Sequence, residues 1–427
     1  MRGRLVGPLA PMTFLLPLLG LIGLGGCAGR ALSVEDGGGS GPDADGPPAL
    51  ELFTWWVAPG EVEALSALEN VYEREHPRAR IDQFNDASSA NWESMLSKGI
   101  DGRWDVVQVS AAGIPVLRND YPGTLSPVDD IYADHSLESA VIPEIRAAVT
   151  HEGHAWGVVT GVHRNNAFTY GRQVLEKNHL SPPTTIDELF AVCAALKKAN
   201  VTPIATTLDP WILRFLYLDL LSGVVGAEDF GDFVTHKLLV SDPRMQDGIA
   251  TATNLLVRLL TEYADLDTLK AKNPDWTQAA DSLRAGTTAM FFLGDWLKGY
   301  LQHLGWDPRF DFGVSGPPGA SDVFVYGADT FALPSHVPHP QMAHDFLTVV
   351  ASRDAQVAFN TQKGSTPMRT DVRDQLDPLG KKSLDDLVNA KVLLPGFDNA
   401  MMDAAMAAWV QTGDAAALTH SLQTIAP

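Results

Sequence analysis

Between residues 51 and 109 the apolar pattern switches repeatedly between periods, and this alternation limits the fold more than any other feature of the chain. Residues 51–56 (ELFTWW) read as a strand. Val62, Leu65, Leu68 and Tyr72 then recur at helical spacing and stop before Pro77. A second strand follows at 79–84, a short helix at 92–98, and a buried strand at 105–109 (DVVQV). Such β-α-β-α-β order predicts an α/β fold with a parallel sheet and right-handed crossovers. Ligands of open sheets of this kind bind beyond the carboxyl ends of the strands. Trp55, Trp56 and Gln108 fall at those ends. Successive side chains of a strand point to opposite faces, so the two tryptophans cannot share one core surface. One is expected to face a cleft and the other to pack behind it; burial of both under helices on the two sides of the sheet is the alternative.

The chain has 427 residues, too many for one ordinary core, so two domains or one composite fold are expected. Its formal charge of −21 is spread along the sequence, with no basic stripe, which argues against nucleic acid as a partner. The N-terminus carries Arg2 and Arg4, an apolar stretch at 12–24, and Leu24-Gly25-Gly26-Cys27. This has the outline of an export signal, and its end resembles a bacterial lipobox, in which the Cys27 thiol takes the lipid. An uncleaved signal anchor is the alternative. Residues 37–48 (GGGSGPDADGPP) read as a flexible tether. The expected product is exported, periplasmic or at the cell surface, and lipid-anchored to a membrane. Cys193 is the only other cysteine, so no intrachain disulfide is expected; with Leu189, Val192 and Leu196 it forms an apolar helical face.

Further along, HEGHAWGVVTGVHRNN suggests a hairpin with Gly153 in its turn, running into an extended segment. Thr185 and Glu188 have capping-box spacing, 201–206 reads as a strand and 241–260 as a long amphipathic helix. A helix after 276, a strand at 288–292, the turn Gly294-Asp295-Trp296 and an extended run at 325–333 follow, and the C-terminal third reads as helical.

Six of these segments, ELFTWW…LENVYEREHP, VVQVSAAG, WGVVTGVHRNN, AMFFLGDW, GADTFALP and NTQKGSTP, occur in an order that resembles the extracellular solute-binding proteins of ABC sugar importers, and most of all their glucose- and mannose-binding branch. The resemblance implies a type II-like periplasmic-binding-protein fold. Its two lobes, 49–162 plus 329–370 and 163–328 plus 371–427, would be joined by crossing strands near 159–166 and 326–331. It implies a sugar ligand, permease subunits as partners, a monomer, no cofactor and no catalysis. Sugars offer apolar C–H faces and rings of hydroxyls, and so call for aromatic plates beside carboxylates, amides and a lysine. Trp55, Trp56, Trp211 and Trp296 are the candidate plates. Glu61, Gln108, His163, Asn165, Asp329 and Lys363 are the candidate hydrogen-bonding partners.

Two positions depart from that pattern: Ser110 stands where similar proteins carry a histidine, and LLPGFD lacks one as well. The identity of the sugar therefore does not follow. His151 and His154 flank a glycine turn in which they need not converge, so no metal site is expected. No G-x-S-x-G, P-loop or G-x-G-x-x-G occurs. Carboxylate pairs for glycoside hydrolysis meet only in three dimensions, which leaves an exported lipoprotein glycoside hydrolase as the alternative activity.

Overall fold

The computed structural model describes residues 48–85, 102–134, 137–396 and 399–426. The signal, Cys27, the tether up to residue 47 and the helix expected at 92–98 lie outside these residues. Met1–Gly46 and Pro47–Pro427 are separate units, and only the second concerns the site.

Strands β1 (Ala49–Thr54), β2 (Arg80–Asn85) and β3 (Val106–Ser110) lie in the order β3-β1-β2, and β1 runs parallel to both neighbours. The alternating sequence predicts this arrangement. The Glu61–Glu75 helix buries Ala64, Leu65, Leu68, Val71 and Tyr72, the stripe that its 3.6-residue period puts on one side. It ends at His76, where Pro77 follows.

After the two-residue strand β4 (Leu125–Ser126), β5 (Thr150–His151) and β6 (His154–Ala155) form the expected hairpin. Its turn residues Glu152 and Gly153 both adopt positive φ, 52° and 83°, as a tight two-residue turn requires. His151 and His154 face each other across that turn, and His154 Nδ1 lies 2.7 Å from Asp129 Oδ2. Strand β7 (Val158–Arg164) is buried throughout. Strands β8 (Phe168–Gly171), β9 (Thr202–Ala205), β10 (Thr288–Phe292) and β11 (Phe312–Ser315) make a second sheet in the order β11-β8-β10-β9.

The longest strand, β12 (Val323–Pro334), ties the first sheet together, antiparallel to β7, β3 and β4 and parallel to the final strand, β13 (Val392–Pro395). The C-terminal third was expected to be helical, and β13 corrects this. Its four residues, VLLP, are too short an apolar run to betray their period. The Thr185 cap is present, its side chain accepting from the Glu188 N–H at 3.2 Å, while Glu188 Oε2 bonds the N–H and hydroxyl of Thr184. The helix expected at 241–260 spans Pro243–Arg258 and continues into a π turn, Leu259–Tyr263. Residues 294–296 lead directly into a helix, Trp296–His303.

Each sheet has its own core. One gathers residues such as Leu52, Trp56, Val107, Phe331 and Phe346, the other Phe168, Leu216, Phe230, Met290 and Trp409. Cys193 is fully buried in the second, on the Ile186–Lys198 helix, and burial pushes its thiol up to about 12, so it stays a protonated packing group.

Candidate functional site

Strand β1 ends at Thr54, so the tandem tryptophans stand just past the sheet edge. The Gln108 carboxamide fixes them there: its Oε1 accepts from Thr54 Oγ1 at 2.5 Å and from the Trp55 N–H at 3.0 Å, and Thr54 Oγ1 in turn accepts from the Trp56 N–H at 3.2 Å. Gln108 is fully buried and does not line the cleft. Expected among the ligand's partners, it is here buried and holds the strand end in place. Trp55 is half-exposed, whereas Trp56 is 1% exposed and packs on Phe331 and Phe359 at ring distances of 5.6 and 5.0 Å. Trp55 is thus the more open of the pair and Trp56 the more packed, yet both border the cleft.

A cleft of about 510 Å³ opens beside them. Trp55, Trp56, Glu61, His163, Asn165, Trp211, Trp296, Asp329 and Lys363 all line it, although they come from distant parts of the chain. Sequence reasoning missed Trp276, Ser110, Val57, Ala58, Gly327 and Ala328 on the same walls. Trp276 opens the helix Trp276–Arg284 behind an Asp275 cap, a position whose chemistry signals a helix start and nothing about a cleft. Ser110, by contrast, ends strand β3, and that place at a carboxyl end was a usable signal.

Charged groups along the cleft form two clusters, His163 with Asp295 and Asp329, and Lys363 with Glu61. His163 Nδ1 lies 2.6 Å from Asp295 Oδ1 and its Nε2 3.3 Å from Asp329 Oδ2, so both ring nitrogens face carboxylates, an arrangement that suits imidazolium with its two donors. Burial pulls the His163 pKa down, but Asp295 and Asp329 outweigh it and hold the ring above its ordinary value. Burial likewise pushes Asp329 up, and His163, Lys363 and a bond from the Trp56 indole together bring it below the usual carboxylate range. Asp329 occupies a break in register where β12 passes between β7 and β3, opposite Gly161 on one side and Ser110 on the other. A bulge of this kind re-aims a side chain. On the far wall Lys363 Nζ meets Glu61 Oε1 at 2.7 Å and lies 5.5 Å above the Trp56 ring. Glu61 Oε2 accepts from the N–H groups of Val57 and Ala58, closing the loop that carries the tryptophans.

The aromatic wall is continuous. Trp211 and Trp296 lie 6.3 Å apart, Phe215 packs on both, and His163 meets Trp296 edge-on at 5.6 Å. Trp296 folds back over Gly294, where any Cβ would collide with the indole. Three further glycines seat the charged wall. A Cβ on Gly60 would lie 2.9 Å from the Gly299 carbonyl carbon, one on Gly364 2.5 Å from the Gly299 nitrogen, and one on Gly299 would strike the Lys363 carbonyl. Backbone therefore packs on backbone where Glu61, Lys363 and the Trp296 helix converge.

Behind the cleft, Asp219 is buried with its Oδ2 unbonded among the described residues. Burial pushes its carboxyl well above the usual range against the single opposing pull of Arg164.

Comparison with known proteins agrees with this architecture. Residues 80–396 match the profile of the bacterial extracellular solute-binding proteins. An uncharacterized ABC transporter extracellular-binding protein of Pyrococcus horikoshii is 30% identical over 354 residues, covering 81% of this chain and 77% of that one. A probable sugar-binding periplasmic protein of Rhizobium meliloti is 27% identical over 351 residues, covering 80% and 81%. Among solved structures, the bacterial solute receptor AcbH, described as having an exclusive preference for β-D-galactopyranose, superposes with a TM-score of 0.73 at 15% identity over 89% of this chain and 97% of its own. A chitin oligosaccharide binding protein gives 0.71 at 20% identity, with 88% and 97% covered. The fold is the two-lobed one of periplasmic sugar-binding proteins, and with its central 317 residues inside the profile the chain belongs to the bacterial extracellular solute-binding proteins.

Proposed function

We propose that the protein binds a sugar outside the cytoplasm and delivers it to the permease of an ABC importer without altering it. The observation that carries this reading is the cleft itself, in which five tryptophans stand beside two carboxylates, an imidazole and an ammonium group, hydrogen-bonded in pairs. Flat apolar plates beside charge-assisted hydrogen-bonding groups match the two kinds of surface on a pyranose. The relatives named as sugar-binding support the same class. Likeness to the glucose- and mannose-binding branch makes those hexoses, and short oligosaccharides containing them, the first ligands to test. Asp329, held below the usual carboxylate range, is unsuited to the general-acid role that a glycosidase requires of one carboxyl.

In this reading 49–162 plus 329–370 form one lobe and 163–328 plus 371–427 the other, and a sugar touching both shifts the population toward the closed form that the permease recognises. The protein acts as a monomer. A thermal-shift series with hexoses, pentoses and short oligosaccharides is expected to find a ligand that stabilises the fold, by about 2.7 kcal/mol at a hundredfold excess over Kd. That sugar should return chemically unchanged at one per chain. Sustained release of reducing ends, lost in Asp329→Ala, would establish the hydrolase instead.

Cys27 is proposed as the lipid attachment site; it lies outside the described residues. Labelled palmitate should enter the wild type and not Cys27→Ser. Recovery of an intact, unlabelled N-terminus after export would establish a signal anchor.

A further inference from the structure

The cleft does not end at the charged groups. A second cavity of about 440 Å³ shares Ser110, Asn165, Gly327 and Ala328 with the first, so the two adjoin at β12. Their boundary is narrow: the Asn165 carboxamide packs on Gly327, where a Cβ would lie 2.9 Å from Asn165 Oδ1. The two compartments differ in chemistry. The first presents Glu61, His163, Asp329 and Lys363. Among the described residues no charged side chain lines the second, whose walls are mostly alanine, proline and the ring of Phe215; its Thr150 and Tyr326 hydroxyls are already engaged, by Arg146 and by the Glu144 carbonyl. Phe215 is also in ring contact with Trp211 and Trp296, so one aromatic surface runs through both compartments.

A hydroxyl-rich ring is matched to the first compartment and mismatched to the second, where few side-chain partners would replace the water its hydroxyls give up. Small residues against an aromatic ring suit a flat group with few hydroxyls. We infer that the ligand is a glycoside of two units, with a hydroxyl-rich sugar in the charged compartment and a hydroxyl-poor unit of aryl or deoxy-sugar type across Gly327 in the alanine-lined one. Ser110 and Asn165 flank the linkage between them. This rests on the sugar-binding reading above and adds the class of the second unit.

Calorimetric titration of the full chain tests it, with D-glucose, D-mannose, D-galactose and D-xylose as probes, each beside its phenyl α- and β-glycoside. At least one phenyl glycoside is expected to bind roughly tenfold or more tighter than its parent sugar, about 1.4 kcal/mol. Ala112 and Ala147 are both exposed, so Ala112→Trp and Ala147→Trp can fill the second compartment without disturbing the core. Each should abolish that gain and leave the affinity for the parent sugar unchanged. If parent sugars bind and no phenyl glycoside binds better, or if the gain survives in both variants, the inference is overturned and the sugar reading stands. If no probe binds while a short oligosaccharide does, the inference alone is overturned; if none of these sugars binds, the sugar reading falls and takes the inference with it.

Discussion

Asp329→Ala is expected to weaken sugar binding by roughly thirtyfold or more, on the order of 2 kcal/mol, because a hydrogen bond to a charged group is worth more than a neutral one and sugar hydroxyls would be left unpaired in the cleft. The variant keeps a folded core, since His163 retains Asp295 on its other nitrogen at 2.6 Å. The pH dependence has a definite sign. Asp329 has its pKa lowered in the folded protein, so the stability it contributes is present above the ordinary carboxylate pKa and is lost as pH falls through the lower folded value. His163, with its folded pKa raised, stabilises fully below its ordinary value, and that contribution is lost as pH rises through the raised one. Binding that depends on the Asp329 carboxylate should therefore persist from about pH 7 to about pH 5, both above the usual carboxylate range. Calorimetry at those two pH values, with His151→Ala in the β5–β6 turn as an inert control, measures this. Wild-type affinity in folded Asp329→Ala would place the sugar elsewhere.

Gly299→Ala should produce the largest loss of stability from the smallest change. Helix propensity alone forecasts the opposite, because alanine inside a helix is favoured over glycine by roughly 0.5–1 kcal/mol. Gly299 lies within Trp296–His303, yet its added methyl would strike the Lys363 carbonyl, a backbone atom that cannot rotate away. Overpacking of this kind costs about 1–3 kcal/mol, and relief would come from a shift of the Trp296–His303 helix, carrying Trp296 away from His163, or of the Arg353–Lys363 helix, carrying Lys363 away from Glu61. A lower melting temperature together with weaker sugar binding is the expected result. Gly413→Ala separates the effects: it has φ of 71° and no atom within 4 Å of its Cβ position, so it measures backbone strain alone and should leave binding intact. A rise in melting temperature for Gly299→Ala would show that the three-glycine contact is loose.

The sequence made the first sheet legible because periodicity is local: Leu65, Leu68 and Tyr72 announce their helix without reference to anything distant. Cleft membership of Trp55, Trp296 and Asp329 was readable through a resemblance and the general place of ligands at strand ends. Nothing local distinguished Gln108 from them. Its role depends on Thr54 lying 2.5 Å away across the sheet, a pairing that becomes visible only once the strands are in register. Trp276 and the contact among Gly60, Gly299 and Gly364 were invisible for the same reason, since each acquires its meaning from other, distant segments of the chain. The second compartment was hidden because alanines carry no chemical signature.

Strand β12 has a consequence for how such a chain reaches its native state. Thr330 Oγ1 donates to the carbonyl of Val109, which is 221 residues earlier, and the same strand bonds β7 and β13. The first sheet can therefore be completed only after most of the polypeptide has emerged, and pairings this distant in sequence are slow to form. A chain threaded across a membrane from its N-terminus would present β1, β2 and β3 outside first, with an apolar edge awaiting β12. Slow closure of that edge keeps the molecule pliable during transit and leaves it, for the same interval, open to pairing with a neighbour.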